Sequence, residues 1–289
     1  MTILPIIEIL LANLIWGFGF VASIWALESL SWIQIFLYRF LIAGLTGLII
    51  FLILEKKELL KSYFSIAFIP SIFLSLEIVF QIFSLQYTTA TEGGFLFVLY
   101  IIMIPLMEYI MYKRNLPLKQ AFWIALGLIG SIFMMKSKEM TIGKGEIAML
   151  TAAFFASAHI ISIDRLDKTK IKTFYLNAFQ LLWGAILTSP IYFFIKHDFS
   201  GTYSTRSIIG LLSLIFGSTL LAYYLQIKAQ LKISPSMISI LFLLESAFSA
   251  IFAYWLLGDR LSPGQWIGAA IISISAIAVS LDFLNSQKN

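Results

Sequence analysis

Residues 93–112 read GGFLFVLYIIMIPLMEYIMY, and Glu108 is the only formally charged side chain in this run. A helix of this length rises about 30 Å, which matches the hydrocarbon core of a bilayer. Similar apolar runs recur along the whole chain, and they lack the alternating pattern that is typical of membrane-barrel strands. The sequence therefore predicts an all-α membrane protein that has the lipid bilayer as its solvent.

The overall composition supports the same fold class. The 289 residues are 60% hydrophobic and 12% charged, and the mean hydropathy is +0.93, which is beyond what a soluble domain keeps in solution. The net charge of +5 comes from basic residues in short connectors, so it indicates membrane topology and not a nucleic-acid partner. The absence of cysteine excludes disulfides and thiolate metal sites, and the presence of only two histidines argues against a metal enzyme.

Charge clusters, prolines and glycines divide the chain into ten predicted transmembrane helices. The first five are Ile3–Leu27, Trp32–Leu54, Tyr63–Leu85, Gly93–Tyr112 and Leu118–Met135. The second five are Ile147–Ile163, Phe174–Ile195, Ile208–Ile227, Ile233–Leu257 and Pro263–Leu284. With both termini in the cytoplasm, most of the 20 Lys and Arg residues fall on the cytoplasmic side, as expected of a multi-pass inner (plasma) membrane protein.

The two halves of the chain resemble each other. Tyr87–Gln120 aligns without gaps with Lys232–Gln265 at an offset of 145 residues, and Gln81 then falls on Gln226. Because each half has five helices, the second half enters the membrane from the opposite side, which predicts two inverted five-helix repeats, residues 1–138 and 139–289. Such repeats are typical of transporters with a substrate site near the midplane between the halves, and the alternative is duplication of an inert bundle.

Four groups of residues resemble those of a known family. They are Trp16-Gly17; Tyr38-Arg39-Phe40; Gln86-Tyr87-Thr88-Thr89-Ala90 with Gly94-Phe95, Leu99-Tyr100 and Pro105; and Leu244-Glu245-Ser246 with the stretch from Leu256 to Ser262. In this order and spacing they resemble the EamA-type members of the drug/metabolite transporter superfamily. The resemblance implies a ten-helix carrier with a central cavity, often an exporter of amino acids or other metabolites.

Two positions depart from the pattern of that family. Ser246 stands where the family usually has proline, so the helix break that the family has there is expected to be softened. His159 stands where the family commonly has an aromatic residue, which makes it a candidate determinant of specificity.

Ionisable side chains inside the bilayer are costly, so each is a candidate functional residue. Arg39 and Glu77 are predicted at similar depths, roughly 10 Å from the outer surface, and could form an ion pair that either ties two helices together or opens to an anionic substrate group. Glu245 is predicted near the midplane, where a carboxyl group could bind a substrate amine or take up a proton, or else bond to a neighbouring helix. His159 could bind substrate or move protons, and a buried structural histidine is the alternative.

Other candidates for the substrate site are polar or aromatic residues within the predicted helices. They are Trp16, Tyr100, Trp183 and Tyr224, whose alternative is ordinary packing, and Gln81 and Gln180, whose alternative is interhelical hydrogen bonding. Glu8 and Glu108 are predicted to extend to the cytoplasmic interface. Gly264 and Gly268 form a GxxxG pair that fits either a homodimer contact or close packing within a monomer.

The leading functional hypothesis is secondary transport of a small molecule by alternating access, with protons as the candidate coupling ion and no cofactor. Amino-acid export is favoured by the family resemblance. Efflux of toxic compounds, uptake of a nucleoside-like metabolite, and a non-transporting receptor or scaffold stay open. An enzyme is disfavoured because the sequence has no HExxH, no GxSxG and no nucleotide-binding loop.

Overall fold

The computed structural model describes residues 3–113, 115–134, 143–194 and 203–286. Within these ranges the regular structure is helical, and eight helical stretches are long and apolar enough to cross a membrane. Two of the predicted helices end at Met135 and Ile195, and both residues lie outside the described ranges. The predicted boundary between the repeats, at 138/139, also lies outside them.

The helices of the first half are α1 (Leu4–Leu27), α2 (Trp32–Leu54), α3 (Leu60–Ser84), α4 (Ala90–Phe97), α5 (Tyr100–Tyr112) and α6 (Leu118–Met134). Those of the second half are α7 (Lys144–Asp164), α8 (Thr173–Phe194), α9 (Thr205–Leu212), α10 (Tyr223–Gln230), α11 (Pro235–Leu241), α12 (Leu243–Leu256) and α13 (Pro263–Ser286). A π-helical segment (Ser213–Ala222) joins α9 to α10. The eight apolar stretches do not include α6, which is shorter, or α8, which carries Asn177 and Gln180.

Side-chain caps fix where several helices begin. Ser31 caps α2 and Thr89 caps α4, each in a reciprocal bond with the residue three positions later. Ser234 caps α11, and Pro235 follows it at the first helical position. Such caps satisfy the amide groups that a helix start leaves without partners.

Two of the apolar stretches are interrupted near their middle. The first interruption is at Val98 and Leu99 between α4 and α5, and the second is at Phe242 between α11 and α12. Tight bonds one residue shorter than the α-helical spacing mark both, from the Ile101 amide to the Val98 carbonyl (2.9 Å) and from the Glu245 amide to the Phe242 carbonyl (2.9 Å). The stretch Pro235–Leu256 is therefore interrupted, although Ser246 stands where the family pattern has proline.

The two halves pack against each other reciprocally. Helix α1 packs on α9, the π segment, α10 and α12, while α7 packs on α3, α4 and α5. Helix α2 also packs on α8, and α6 packs on α13, so that helices at the same position along each half of the chain meet. A Cβ atom added to Gly130 would lie 2.9 Å from the carbonyl oxygen of Gly268, so these small residues bring α6 and α13 close together within one chain.

Glu8 and Glu108 do not extend to the interface, which corrects the expectation from sequence. Both side chains are buried. The Glu8 carboxylate lies 2.6 Å from the Lys228 ammonium, and Glu108 accepts a 2.9 Å bond from the amide of Ser236 at the start of α11. Each acid finds its partner on a helix of the other half, so burial among packed helices replaces exposure to water.

Candidate functional site

An open pocket lies between the two halves, and it contains about 510 Å³ of empty space when its opening to solvent is counted. Its hydrogen-bonding and charged lining consists mainly of Arg39, Glu77, Gln81, His159, Gln226 and Glu245. Its aromatic lining consists of Trp16, Phe20, Phe97, Tyr100, Tyr223 and Phe242. The cavity therefore offers charged groups and apolar surface to the same occupant.

Glu245 lies in the first turn of α12, directly after the interruption at Phe242. Its Oε2 atom lies 3.1 Å from the Tyr100 hydroxyl, and that hydroxyl also lies 3.3 Å from the Phe242 carbonyl oxygen. The side-chain amide of Asn13 donates to the carbonyl of Leu241 (2.8 Å). Asn13 thus supplies a donor from the first half of the chain to a carbonyl beside the interruption, while the Phe242 carbonyl accepts from the amide of Glu245.

Glu77 and Arg39 face the same cavity but do not touch. Glu77 Oε1 accepts a 2.6 Å bond from the Tyr223 hydroxyl, and Glu77 Oε2 lies 3.7 Å from Nδ1 of His159. Arg39 uses its Nε to donate to the hydroxyl of Thr219. Within the described residues the two charged groups are farther apart than an ion pair, because Tyr223 and Thr219 of the second half take up the facing atoms of each.

The π segment supplies carbonyl acceptors to neighbouring helices. Trp16 Nε1 donates to the carbonyl of Ser218 (3.0 Å), and Asn177 Nδ2 donates to those of Thr219 (3.2 Å) and Leu220 (3.0 Å). A π segment carries extra backbone per turn, which rotates the residues that follow it relative to a continuous α-helix. The segment thus sets which face of α10 lines the cavity.

Aromatic rings form one wall of the cavity in edge-to-face contact. The Trp16 ring centroid lies 5.0 Å from that of Tyr223 and 5.3 Å from that of Phe242, and Tyr100 meets Phe242 at 5.8 Å. These rings come from α1, α5, α10 and the interruption before α12. Such a cluster can hold an apolar group or the positive end of a ligand.

Seven of the ten candidate site residues line this cavity, namely Trp16, Arg39, Glu77, Gln81, Tyr100, His159 and Glu245. The other three lie elsewhere. Gln180 lies behind His159 and contacts its Nε2 at 3.1 Å. Trp183 donates to the Phe64 carbonyl between α3 and α8 (2.6 Å), and Tyr224 packs on Phe174 away from the cavity.

The sequence interpretation missed Tyr223 and Gln226, although a signal for both was present. Gln226 falls on Gln81 at the 145-residue offset, so the predicted repeat extends the candidate role of Gln81 to Gln226, and both residues line the cavity. Tyr223 precedes Gln226 by three positions and therefore shares its helix face, whereas Tyr224 does not.

Comparison with known proteins adds a family to this geometry. The model of the EamA-like transporter family matches the chain twice in succession, over residues 3–136 and 143–281. The chain belongs to the EamA-like transporter family. It is accordingly a multi-pass membrane protein of the drug/metabolite transporter superfamily, which confirms the resemblance noted in its motifs.

The chain is also similar to two proteins named as transporters and to one solved structure. An uncharacterized transporter of Archaeoglobus fulgidus is 31% identical over 271 residues, which cover 94% of this chain and 84% of that protein. An uncharacterized transporter of Buchnera aphidicola subsp. Schizaphis graminum is 26% identical over 266 residues, which cover 87% of each. A protein crystal structure with 16% identity aligns over 99% of both chains with a TM-score of 0.77, so the two share a fold.

Proposed function

We propose that this EamA-like protein is a secondary transporter that exports small amphipathic metabolites, amino acids or related compounds, across the inner membrane. The observation that carries the proposal is the cavity between the halves, in which Arg39, Glu77 and Glu245 surround an aromatic wall. Export as the direction follows from the family resemblance.

The proposal includes ten membrane crossings in two inverted repeats, residues 1–138 and 139–289. Four features support it: the reciprocal packing of α1 and α7, the meeting of equivalent helices, the two family matches, and the matching interruptions. Thr89 and Ser234, which cap α4 and α11, are 145 positions apart, as are Tyr100 and Glu245. A pseudo-two-fold axis in the membrane plane would relate these pairs.

The connectors divide into two sets that fit a membrane orientation. Ion pairs join helix ends at one face, for example Lys172 with Glu55 (2.5 Å) and Lys119 with Asp282 (2.6 Å). Most basic residues lie at this face, so we assign it and both termini to the cytoplasm. The opposite face has bonds such as Thr91 to Asp259 (3.0 Å).

The charges in the cavity suit a zwitterion with an apolar body. Arg39 uses its Nε on Thr219, and within the described residues its terminal nitrogens have no protein acceptor, so they are available to a substrate carboxylate. Glu77 and Glu245 are available to a substrate ammonium group. The aromatic wall around Trp16 would contact the apolar part of the substrate. Amino acids carry all three features.

Alternating access would follow if the halves rock about this cavity. The lining reaches Ser23 and Leu85, which lie near the outer ends of α1 and α3. On the cytoplasmic side the pairs Glu8–Lys228 and Glu108–Ser236 hold the two halves together. Breaking these contacts would be required before the site could face the cytoplasm.

The proposal is tested by counterflow in proteoliposomes with a panel of radiolabelled amino acids and related amines. We expect accumulation of at least one zwitterion with an apolar side chain, and a loss of about tenfold or more in Glu245→Gln. Glu58→Gln, which alters an exposed carboxylate in the connector after α2, is the matched control and should retain the wild-type rate. Absence of counterflow across the panel, or a normal rate in Glu245→Gln, would contradict the proposal.

A further inference from the structure

A chain of side-chain hydrogen bonds runs from the π segment to the cavity, and the donor and the acceptor of each bond can be assigned. The chain starts at the carbonyl oxygens of Thr219 and Leu220, which accept from Asn177 at 3.2 and 3.0 Å. A backbone carbonyl only accepts hydrogen bonds, so the atom of Asn177 that faces it must be the amide nitrogen. The side-chain oxygen of Asn177 therefore points the other way.

The same assignment of donors and acceptors continues from Asn177 through Gln180 to His159. Gln180 Nε2 donates to Asn177 Oδ1 at 2.9 Å, which leaves Gln180 Oε1 to face His159 Nε2 at 3.1 Å. An amide oxygen only accepts, so the hydrogen of this contact belongs to the histidine. His159 thus carries a hydrogen on Nε2. The opposite orientation of the two amide groups is disfavoured, because it would place the Asn177 side-chain oxygen against the carbonyl oxygens of the π segment.

This assignment leaves two acceptors opposite each other. A neutral imidazole with its hydrogen on Nε2 has a bare lone pair on Nδ1. That atom lies 3.7 Å from Glu77 Oε2, a few tenths of an ångström longer than a hydrogen bond, and this oxygen has no hydrogen-bond partner among the described residues. Both side chains are buried, 1% exposed for His159 and 5% for Glu77. A buried pair of facing lone pairs is unfavourable unless a proton lies between them.

No neighbouring described group supplies that proton. Tyr223 of α10 donates to the other oxygen of Glu77, and Arg39 of α2 directs its Nε to Thr219. Tyr100 of α5 and Glu245 of α12 bond to each other across the cavity. These are the titratable and charged groups that face the pair from the surrounding helices.

We propose that Glu77 and His159 together bind one proton, and that this proton is the coupling ion of the transport. The second part rests on the proposed function. The proton comes from water on one side of the membrane and returns to water on the other. It resides either on the carboxyl group, which donates to Nδ1, or on Nδ1, which forms an ion pair with the carboxylate. Both forms hold one proton.

The position of Glu77 and His159 explains how one proton could control the contact between the two halves. Glu77 belongs to α3 and His159 to α7, and these two helices pack directly on each other across the two halves. A shared proton joins them, and its loss leaves two acceptors that repel. Because the hydrogen-bond chain ends on the π segment, a change at the pair also reaches the helix that carries Tyr223.

The hydrogen-bond polarity is tested first, on ¹⁵N-histidine protein in nanodiscs. The chain has two histidines, and His197 lies outside the described residues, so His197→Asn leaves His159 as the single signal. We expect Nε2 to be protonated throughout, and Nδ1 to be either hydrogen-bonded or protonated in a form that changes with pH. A neutral ring with its hydrogen on Nδ1 would overturn the proposal. This measurement requires no substitution in the cavity.

The proton itself is counted by pH titration of the purified protein. Glu77→Gln places an amide donor opposite Nδ1, so it should release one proton fewer per molecule than wild type and abolish the pH-dependent change at Nδ1. Glu245→Gln is the matched control, because it removes a carboxyl group from the same cavity that does not face His159; it should keep that change. Retention of the change in Glu77→Gln, or its loss in Glu245→Gln, would overturn the proposal.

These measurements separate the proposal from the proposed function. Both are made without a transported substrate, so a bound proton in a protein that shows no counterflow would remove the transport role alone. Counterflow that is independent of the pH gradient, together with a bound proton, would overturn the coupling role. Size-exclusion profiles identify variants that do not fold, and the ¹⁵N spectrum of the His197→Asn protein, which has no substitution in the cavity, then decides the question by itself.

Discussion

Two adjacent tyrosines on α10 show how strongly the site depends on single residues. Tyr223 donates to Glu77 at 2.6 Å and lines the cavity, whereas Tyr224 packs on Phe174. Both lie in the same apolar run, so composition alone does not separate them, whereas the spacing of Tyr223 from Gln226 does. The difference arises from helix phase, which the π segment sets for the residues that follow it.

The phenylalanine variants of these tyrosines should therefore behave differently. Tyr223→Phe leaves the buried Glu77 without a donor, which should cost about 1–3 kcal/mol of stability and slow counterflow about tenfold, equivalent to about 1.4 kcal/mol. Tyr224→Phe loses no contact with the cavity and should transport normally. Thermal midpoints and counterflow rates measure both effects. Equal rates in the two variants would show that the hydroxyl of Tyr223 has no role in transport.

At the face that we assign to the cytoplasm, Glu55 and Lys172 form an ion pair with a defined pH dependence. The Lys172 ammonium donates to Glu55 at 2.5 Å and holds the pKa of that carboxyl below its ordinary value. A lowered carboxyl pKa means stabilisation that is present above the unfolded-state value, about 4.3, and lost as pH falls through the folded value. Glu55→Gln should lower the thermal midpoint slightly at pH 7 and not at pH 3. A decrease of equal size at both pH values would contradict this.

At the level of elements, the sequence predicted the helices better than their irregularities. The predicted run Trp32–Leu54 coincides with α2, because Ser31 and Glu55 mark both ends with polar residues. The interruption at Val98–Leu99 contains no proline or glycine that would predict it, and the one at Phe242 was expected only in a softened form, from the family resemblance at Ser246. The π segment likewise has no composition that distinguishes it from an α-helix. Tertiary contacts create these features, as when Asn13 donates to the Leu241 carbonyl beside an interruption.

Helix packing between the halves gives a prediction at the same level. A Cβ atom added to Gly44 of α2 would lie 2.9 Å from the backbone nitrogen of Leu182 on α8, and backbone cannot move aside cheaply. Overpacking of this kind costs about 1–3 kcal/mol, against a gain in helix propensity of about 1 kcal/mol. Gly44→Ala should therefore lower the thermal midpoint. In Gly264→Ala the added atom has 3.7 Å to its nearest neighbour, so the midpoint should stay level or rise.

At the level of the whole molecule, the site depends on how the two halves cross the membrane. If the repeats are inverted, equivalent connectors lie on opposite sides of the bilayer. The connector after α3 contains Gln86, and its equivalent after α10 contains Lys232; the connector after α2 contains Lys57, and its equivalent before α9 contains Tyr203. All four side chains are exposed, and the chain contains no native cysteine. Each equivalent pair can therefore report on inversion.

Single cysteines at these positions should label from opposite sides. A membrane-impermeant maleimide applied outside intact cells should modify Gln86→Cys and Tyr203→Cys, and should reach Lys57→Cys and Lys232→Cys only after the cells are permeabilised. This pattern follows if each half crosses the bilayer five times, as proposed, because an odd number of crossings inverts the second half relative to the first. Labelling of Gln86→Cys and Lys232→Cys from the same side would place the halves in parallel. The two walls of the cavity could then not exchange roles between the compartments, and the alternating-access proposal would fail together with the coupling of the Glu77–His159 proton to it.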